Sequence, residues 1–378
     1  MMIQDRPQRH ERHENHEPKH DHPGHRKHYT NRPQPHPQPH APVTPERLMQ
    51  IAWGYTGPLI LEAAIKNKVF DVLDAAGDGG LLVEQVAQRT CASVRGLRMI
   101  MDALVGLNFL AKDTQQRYAL TPESAAFLVS TKPTYHGGIL RHLSRRLLPQ
   151  WLDLADVVRS GRTAERVNRE DRADFFEQLV EDIFPVSYPA AQALARELDI
   201  AAMPAPRILD LGSGSGVWGI ALAQANPRAT VTAVDWERVL NVTRRIAAQH
   251  GVAAQFNYVA GDNLEVNFGG RFDVVTLGHI LHSEGEPRSR KLIWRGYNAL
   301  QPGGTIAIAE WLPNEQRTGP ANALIFAVNM LVNTEVGDTY TFGEISGWLK
   351  DVGFENARLF DAHAGPSPLI LADKPLAS

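Results

Sequence analysis

Residues 207–219 restrict the fold of this chain more than any other stretch. Arg207-Ile208-Leu209-Asp210-Leu211 is an apolar run with an acid near its end. Gly212-Ser213-Gly214-Ser215-Gly216 follows, and Val217-Trp218-Gly219-Ile220 then opens an apolar helix pattern continued by Leu222 and Ala223. That order reads as strand, tight turn, helix. Glycines let a backbone approach a ligand where any Cβ would clash, and a helix start offers unpaired N–H groups. Gly214-x-Gly216-x-x-Gly219 fits a dinucleotide fingerprint, with pyrophosphate over the helix start. Asp210-x-Gly212-x-Gly214-x-Gly216 instead sets a carboxylate before the glycines, which repels a pyrophosphate and attracts an ammonium or a sulfonium. The bland alternative is a glycine turn that only packs helix on strand.

Strand and helix patterns alternate through residues 201–378. Strands are expected at 207–211, 230–235, 256–260, 272–277, 304–310, 355–361 and 367–372, and helices near 216–225, 237–250, 287–300 and 343–352. Such alternation gives an α/β fold, a mostly parallel Rossmann-like sheet with helices on both faces. The short link from Ala362 to Pro366 cannot make a parallel crossover, so the last strand should run antiparallel. Ligands in such sheets sit outside the carboxyl ends of the strands. Three acids stand there: Asp210, Asp235 and Asp262. An acid at the second strand end can accept both ribose hydroxyls, and one after the next strand can accept an adenine amino hydrogen. Each alone could be a turn or cap residue.

Upstream, the composition changes twice. Residues 1–44 form a tail whose first forty positions hold nine of the fifteen histidines and seven prolines. Such a segment buries too little to offset ordering entropy, so it is expected to be disordered; weak metal binding by its imidazoles is the functional alternative. No metal site is expected elsewhere. Thr44-Pro45-Glu46 starts a helix. Leu48, Ile51, Trp53, Leu59, Ile60, Leu61 and Ile65 then cover more than one helical face, which in a small domain points to a partner subunit. Residues 81–87 read as a short helix, and Leu97, Ile100, Met101, Leu104 and Val105 lie on another, capped by Thr90 or Ser93. Residues 108–111 and 117–120 read as a hairpin, and Thr121-Pro122-Glu123 starts another helix. This winged-helix pattern raises DNA binding, but residues 45–135 hold nine Lys+Arg against nine Asp+Glu, where a DNA-binding face is basic. A dimerisation module is the reading that remains. Residues 136–200 read as connecting helices.

The chain has 378 residues, 43% hydrophobic and 21% charged, with a net charge of −3, an ordinary globular balance with no general pull towards nucleic acid. Cys91 is its only cysteine, which suits a reducing compartment. No apolar run approaches the ~20 residues of a membrane span, and the N-terminus lacks a secretory h-region. A cytoplasmic protein is expected.

A second motif region follows the fourth strand, in Gly278-His279-Ile280-Leu281-His282, and a third in Leu300-Gln301-Pro302-Gly303-Gly304 before the strand ending at Glu310. With the Asp-x-Gly-x-Gly-x-Gly turn and the Gly261-Asp262 pair, these make the chain from about residue 45 onward resemble a known family. It is the S-adenosylmethionine-dependent small-molecule O-methyltransferases, of the type that methylates plant phenols and bacterial aromatic or carotenoid metabolites. The resemblance implies an N-terminal winged-helix dimerisation domain over 45–135, a methyltransferase domain over 201–378 and a homodimer. It implies S-adenosylmethionine at Asp210, Gly212, Gly214, Gly216, Asp235, Trp236, Asp262 and Asn263. It also makes His282 the general base, oriented by Glu310. Phe176, Phe184, Tyr188, His279, Trp311 and Met330 are the candidate walls of the acceptor pocket. Three positions depart from the family pattern. Ser283 follows the histidine where an aspartate is usual, Gly278 stands for a lysine, and a second glutamate would fall at Thr339, with Glu335 and Asp338 nearby. These departures leave a C, N or S acceptor open as alternatives, and the Gly214/Gly216/Gly219 spacing keeps a nicotinamide-dependent oxidoreductase in view.

Overall fold

The computed structural model describes residues 43–163, 173–363 and 365–376. The expected disorder and metal binding of residues 1–42 lie outside them. The chain divides into two units, Met1–Ala52 and Trp53–Ser378. In the first, the described part is helix α1 (Glu46–Ala52), which buries none of its residues.

The second unit opens with α2 (Thr56–Lys66), α3 (Val69–Asp74), α4 (Val83–Thr90) and α5 (Val94–Gly106). The hairpin β1 (Leu110–Lys112) and β2 (Tyr118–Leu120) and helix α6 (Pro122–Phe127) follow. Phe70, Leu73, Val86, Leu97, Met101, Leu104 and Tyr118 form a common apolar core. Ser93, not Thr90, caps α5, its hydroxyl accepting from the Gly96 N–H at 3.3 Å. Helix α4 starts two residues later than expected. Leu81 is drawn into a bridge with Tyr118 of β2, exchanging N–H···O bonds of 3.0 and 2.8 Å, and residues paired that way cannot be helical.

Next come α7 (Gly138–His142), a π-type turn (Leu143–Leu147), α8 (Leu148–Trp151), α9 (Leu154–Ser160) and the long α10 (Ala173–Glu197). The remainder alternates strands and helices. The strands are β3 (Arg207–Leu211), β4 (Thr230–Asp235), β5 (Phe256–Ala260), β6 (Phe272–Gly278), β7 (Leu300–Ala309), β8 (Glu355–Phe360) and β9 (Leu369–Asp373). The helices are α11 (Val217–Ala225), α12 (Glu237–Gln249), α13 (Leu281–Ala299), α14 (Ala321–Asn333) and α15 (Phe342–Val352). The seven strands lie in the order β5-β4-β3-β6-β7-β9-β8. β3 pairs in parallel with both β4 and β6, so chain direction across the sheet reverses at its tip. β9 runs antiparallel between β7 and β8, as the short link requires.

One apolar layer packs α10, α11 and α12 on the sheet through Leu194, Ile220, Leu222 and Leu240; the other packs α13 and α15 through Leu292, Ile293 and Leu349. β7 starts at Leu300, ahead of the expected 304, and two helices also differ from the sequence reading. α13 begins at Leu281, because the turn carrying His282 is already helical, and it breaks at Gly285 before resuming. α14 had no sequence counterpart. Among the described residues no helix is long and apolar enough to cross a membrane.

Candidate active site

A cavity of about 400 Å³ opens over the carboxyl ends of β3, β4, β5 and β6. Its floor is the turn between β3 and α11. Gly212 sits at φ +66°, and a Cβ there would meet Ile280 Cδ1 at 2.3 Å. Its N–H donates to Val234 O (3.0 Å) and lies 3.2 Å from Asn263 Oδ1. The Gly214 N–H donates to Asp235 Oδ2 at 2.9 Å. The turn is thus held by its neighbours at the β4 and β5 tips, and Gly212 through Ser215 present backbone to the cavity.

The three acids prove to have different surroundings. Asp210 is wholly buried and does not line the cavity. Its carboxylate accepts from the Gly219 N–H (3.1 Å) and from Thr276 Oγ1 (2.6 Å), fastening α11 to the sheet. Burial pushes its carboxyl up to about 7 despite these bonds. Its position corrects the expectation of a direct ligand contact: on a central strand, Asp210 points into the protein. Gly216 likewise lies outside the lining, packed by Thr243. Asp235 does line the cavity; burial, opposed by the N–H groups of Gly214 and Trp236, moves it up to about 6, with Glu284 adding to the rise. Asp262 and Asn263 line it as well, and Trp236 flanks it, edge-on to Phe176 with ring centres 5.7 Å apart.

At the other end stands His282. Glu310, just past β7 and 2% exposed, grips it twice: Oε2 lies 2.8 Å from Nδ1 and Oε1 accepts the backbone N–H at 3.2 Å. Burial opposes charge on Glu310, but the facing imidazole and N–H outweigh it and hold the carboxyl below its usual range. With Nδ1 engaged, Nε2 is the nitrogen left for a substrate. The His282 ring meets Phe326 edge-on at 4.9 Å, and Phe326 stacks on Trp311 at 5.1 Å. His279 also lines the cavity; its Nε2 pairs with Ser367 Oγ at 2.8 Å, and burial pushes it down to about 4, so the ring is neutral at pH 7.

Phe176, Trp311 and Met330 line the cavity, whereas Phe184 and Tyr188 do not. On α10 the stripe Phe176, Leu179, Val180, Ile183 and Ser187 faces inward at helical spacing. Phe184 and Tyr188 each lie one residue, about 100°, round the helix. They stack on each other at 5.1 Å, both meet the His250 ring at a tilt, and the Tyr188 hydroxyl bonds Gln224. The sequence reading missed Trp218, Phe326, Asn329 and Asn333, which line the cavity, and Arg288, which borders it beside Asp262. Among the described residues no three His, Cys, Asp or Glu side chains gather as a metal site.

These features suit a ligand with a ribose and a positive charge. Backbone lies where a Cβ could not fit, a carboxylate stands at the β4 tip, and the buried Ser213 hydroxyl, also on the lining, has no hydrogen-bond partner among the described residues. A seven-stranded sheet of this order with such a site defines a nucleoside-binding methyltransferase class.

The comparisons carry this to a family. The O-methyltransferase domain matches residues 151–355, and the O-methyltransferase dimerisation domain matches residues 49–130. A 3-hydroxy-5-methyl-1-naphthoate 3-O-methyltransferase from Streptomyces sahachiroi is 31% identical over 319 residues, 83% of this chain and 90% of that protein. The tetracenomycin polyketide synthesis 8-O-methyl transferase of Streptomyces glaucescens is 28% identical over 89% of this chain and 99% of its own. The structure of human N-acetylserotonin methyltransferase in complex with SAM superposes with a TM-score of 0.77 at 26% identity, over 89% of this chain and 100% of that one. The chain belongs to the O-methyltransferase family, and it is an enzyme that uses S-adenosylmethionine. The dinucleotide reading of the glycines gives way to that match.

Proposed function

We propose that this enzyme methylates a hydroxyl on a flat, largely apolar aromatic or polyketide-like metabolite, with His282 as general base. The observation that carries the reading is the Glu310-held imidazole on the wall of a cavity whose far end is the glycine turn. When bound, S-adenosylmethionine supplies a methyl group activated by its sulfonium. Asp235 is assigned to the ribose hydroxyls, Asp262 to the adenine amino group, and the Gly212–Gly214 backbone to close approach. Asp210 acts behind them by holding the turn.

A phenol has a pKa near ~10, so at neutral pH its proton must leave for the oxygen to attack well. His282 Nε2 accepts it, and Glu310 holds the tautomer and offsets the imidazolium charge. Transfer is an in-line displacement, so alignment contributes much of the acceleration. Trp311, Phe326, Met330 and Phe176 supply apolar walls for a planar acceptor. His279, tied to Ser367, serves as a wall rather than a second base. Thr339 supplies no carboxylate; the adjacent Asp338 N–H donates to His282 O at 2.9 Å and steadies that turn from the backbone side. The naphthoate and polyketide acceptors named for the two Streptomyces relatives support the acceptor class.

Residues 45–135 are assigned as the dimerisation domain of a homodimer, without a nucleic-acid partner, and 201–378 as the donor-binding domain. The single cysteine supports a cytoplasmic location. The test is a screen of hydroxynaphthoates, simple phenols, thiols and amines with methyl-labelled S-adenosylmethionine. Label on aromatic hydroxyls is the expected result; label only on thiols or amines rejects the assignment.

A further inference from the structure

Arg288 does no work in the methyl-transfer chemistry, yet it borders the donor end of the cavity. Among the described residues it is the one lysine or arginine on that lining. Its Nη2 donates to Asp262 Oδ1 at 3.0 Å and Oδ2 at 3.1 Å, and its Nε donates to the buried Glu284. Glu284 precedes the break at Gly285 and Arg288 follows it, so the pair spans the kink in α13. Asp262 Oδ1 also accepts the Leu264 N–H at 2.8 Å. A carboxylate has about four acceptor directions. The guanidinium and Leu264 leave part of that capacity open, on an acid that faces the cavity.

The geometry points to Arg288 as a positioning residue, anchored by Glu284, that fixes Asp262 to read the 6-amino group of the donor's purine. This rests on the assignment of Asp262 to that amine. An aspartate on a loop can rotate about its side-chain bonds; here the Leu264 N–H on Oδ1 and the Arg288 Nη2 straddling both oxygens hold the carboxylate in one orientation. The oriented carboxylate accepts from an amino group and opposes a 6-oxo group, which brings a second acceptor to the same place. Arg288 also offsets the negative charge gathered by Asp235, Asp262 and Glu284 round this end of the cavity.

The test is calorimetric titration of the full chain with S-adenosylhomocysteine and with S-inosylhomocysteine, in which oxygen replaces the 6-amino group. Wild type is expected to prefer the adenosyl ligand roughly tenfold or more, as for a site built around a hydrogen bond. Asp262→Asn should abolish the preference. Arg288→Gln should narrow it several-fold, Arg288→Lys should restore part of it, and Glu284→Gln should narrow it less. If Asp262→Asn keeps the full preference, the Asp262 assignment fails and this inference with it. If Asp262→Asn loses the preference while Arg288→Gln and Glu284→Gln keep it, the assignment stands and the role of Arg288 is overturned. Equal weakening of both ligands by Arg288→Gln also overturns it, since that marks a general loss of the site.

Discussion

Glu310 and Asp210 are both wholly buried carboxylates, and their environments push them in opposite directions. Glu310 is held below its ordinary range by His282, so its contribution to stability is present above the unfolded carboxylate value and is lost as pH falls through its folded value. Asp210 is raised from 3.8 to about 7, chiefly by burial, so its contribution is full below 3.8 and is lost as pH rises towards about 7. Asp210→Asn keeps one acceptor for the Gly219 N–H and can donate to Thr276. The stability of wild type relative to this variant should therefore fall between pH 4 and 7 in paired thermal melts; a constant difference contradicts the assignment. Glu310→Gln leaves a hydrogen bond to His282 but no charge to offset its protonation. It should lower kcat by about 10²-fold or more while S-adenosylhomocysteine affinity stays near wild type by calorimetry. Gly212→Ala has the opposite signature. A left-handed residue costs about 1–2 kcal/mol, and its Cβ would press on Ile280, so donor affinity should drop while the His282–Glu310 pair is untouched.

At the scale of elements, the break in α13 sets the direction of the His282 turn. Gly285 adopts φ 74°, ψ 159°, a conformation nearly confined to glycine, and a Cβ would meet Val336 Cγ2 at 2.7 Å. Gly285→Ala should cost about 1–3 kcal/mol in denaturant unfolding and lower kcat through the displaced imidazole; unchanged stability contradicts the strain argument. Element by element, legibility followed how local the signal was. The glycine turn, the strand-end acids and the His282 region are short patterns, each complete within a few residues, and the strands they punctuate were readable from the same stretches. α14 was not: it is apolar round most of its surface and starts after Pro320 without a side-chain cap. No start signal or clean periodicity separated it from loop, so Phe326, Asn329 and Asn333 went unseen with it. Choosing Phe176 over Phe184 and Tyr188 needed the phase of α10 against the sheet, which neighbouring elements set. The inward turn of Asp210 likewise depends on strand pairing, because an acid closing a strand can face either way.

For the whole molecule, helix α1 carries exposed apolar side chains in the segment assigned to dimerisation. Leu48 and Ile51 on α1 are each 68% exposed, neighbouring large apolar side chains of a kind that contact surfaces use. Light scattering after size exclusion should give the mass of two chains, and Leu48→Glu with Ile51→Glu should give one; a double variant that stays dimeric places the interface elsewhere. The central claim is that one cavity joins the donor's glycine turn to a carboxylate-held imidazole acting as base. Its most direct test is single-turnover methyl transfer to a hydroxynaphthoate by wild type and His282→Ala, both saturated with S-adenosylmethionine. The account predicts transfer slowed by about 10²–10⁴-fold, with S-adenosylhomocysteine affinity unchanged. Transfer by His282→Ala at the wild-type rate would contradict it.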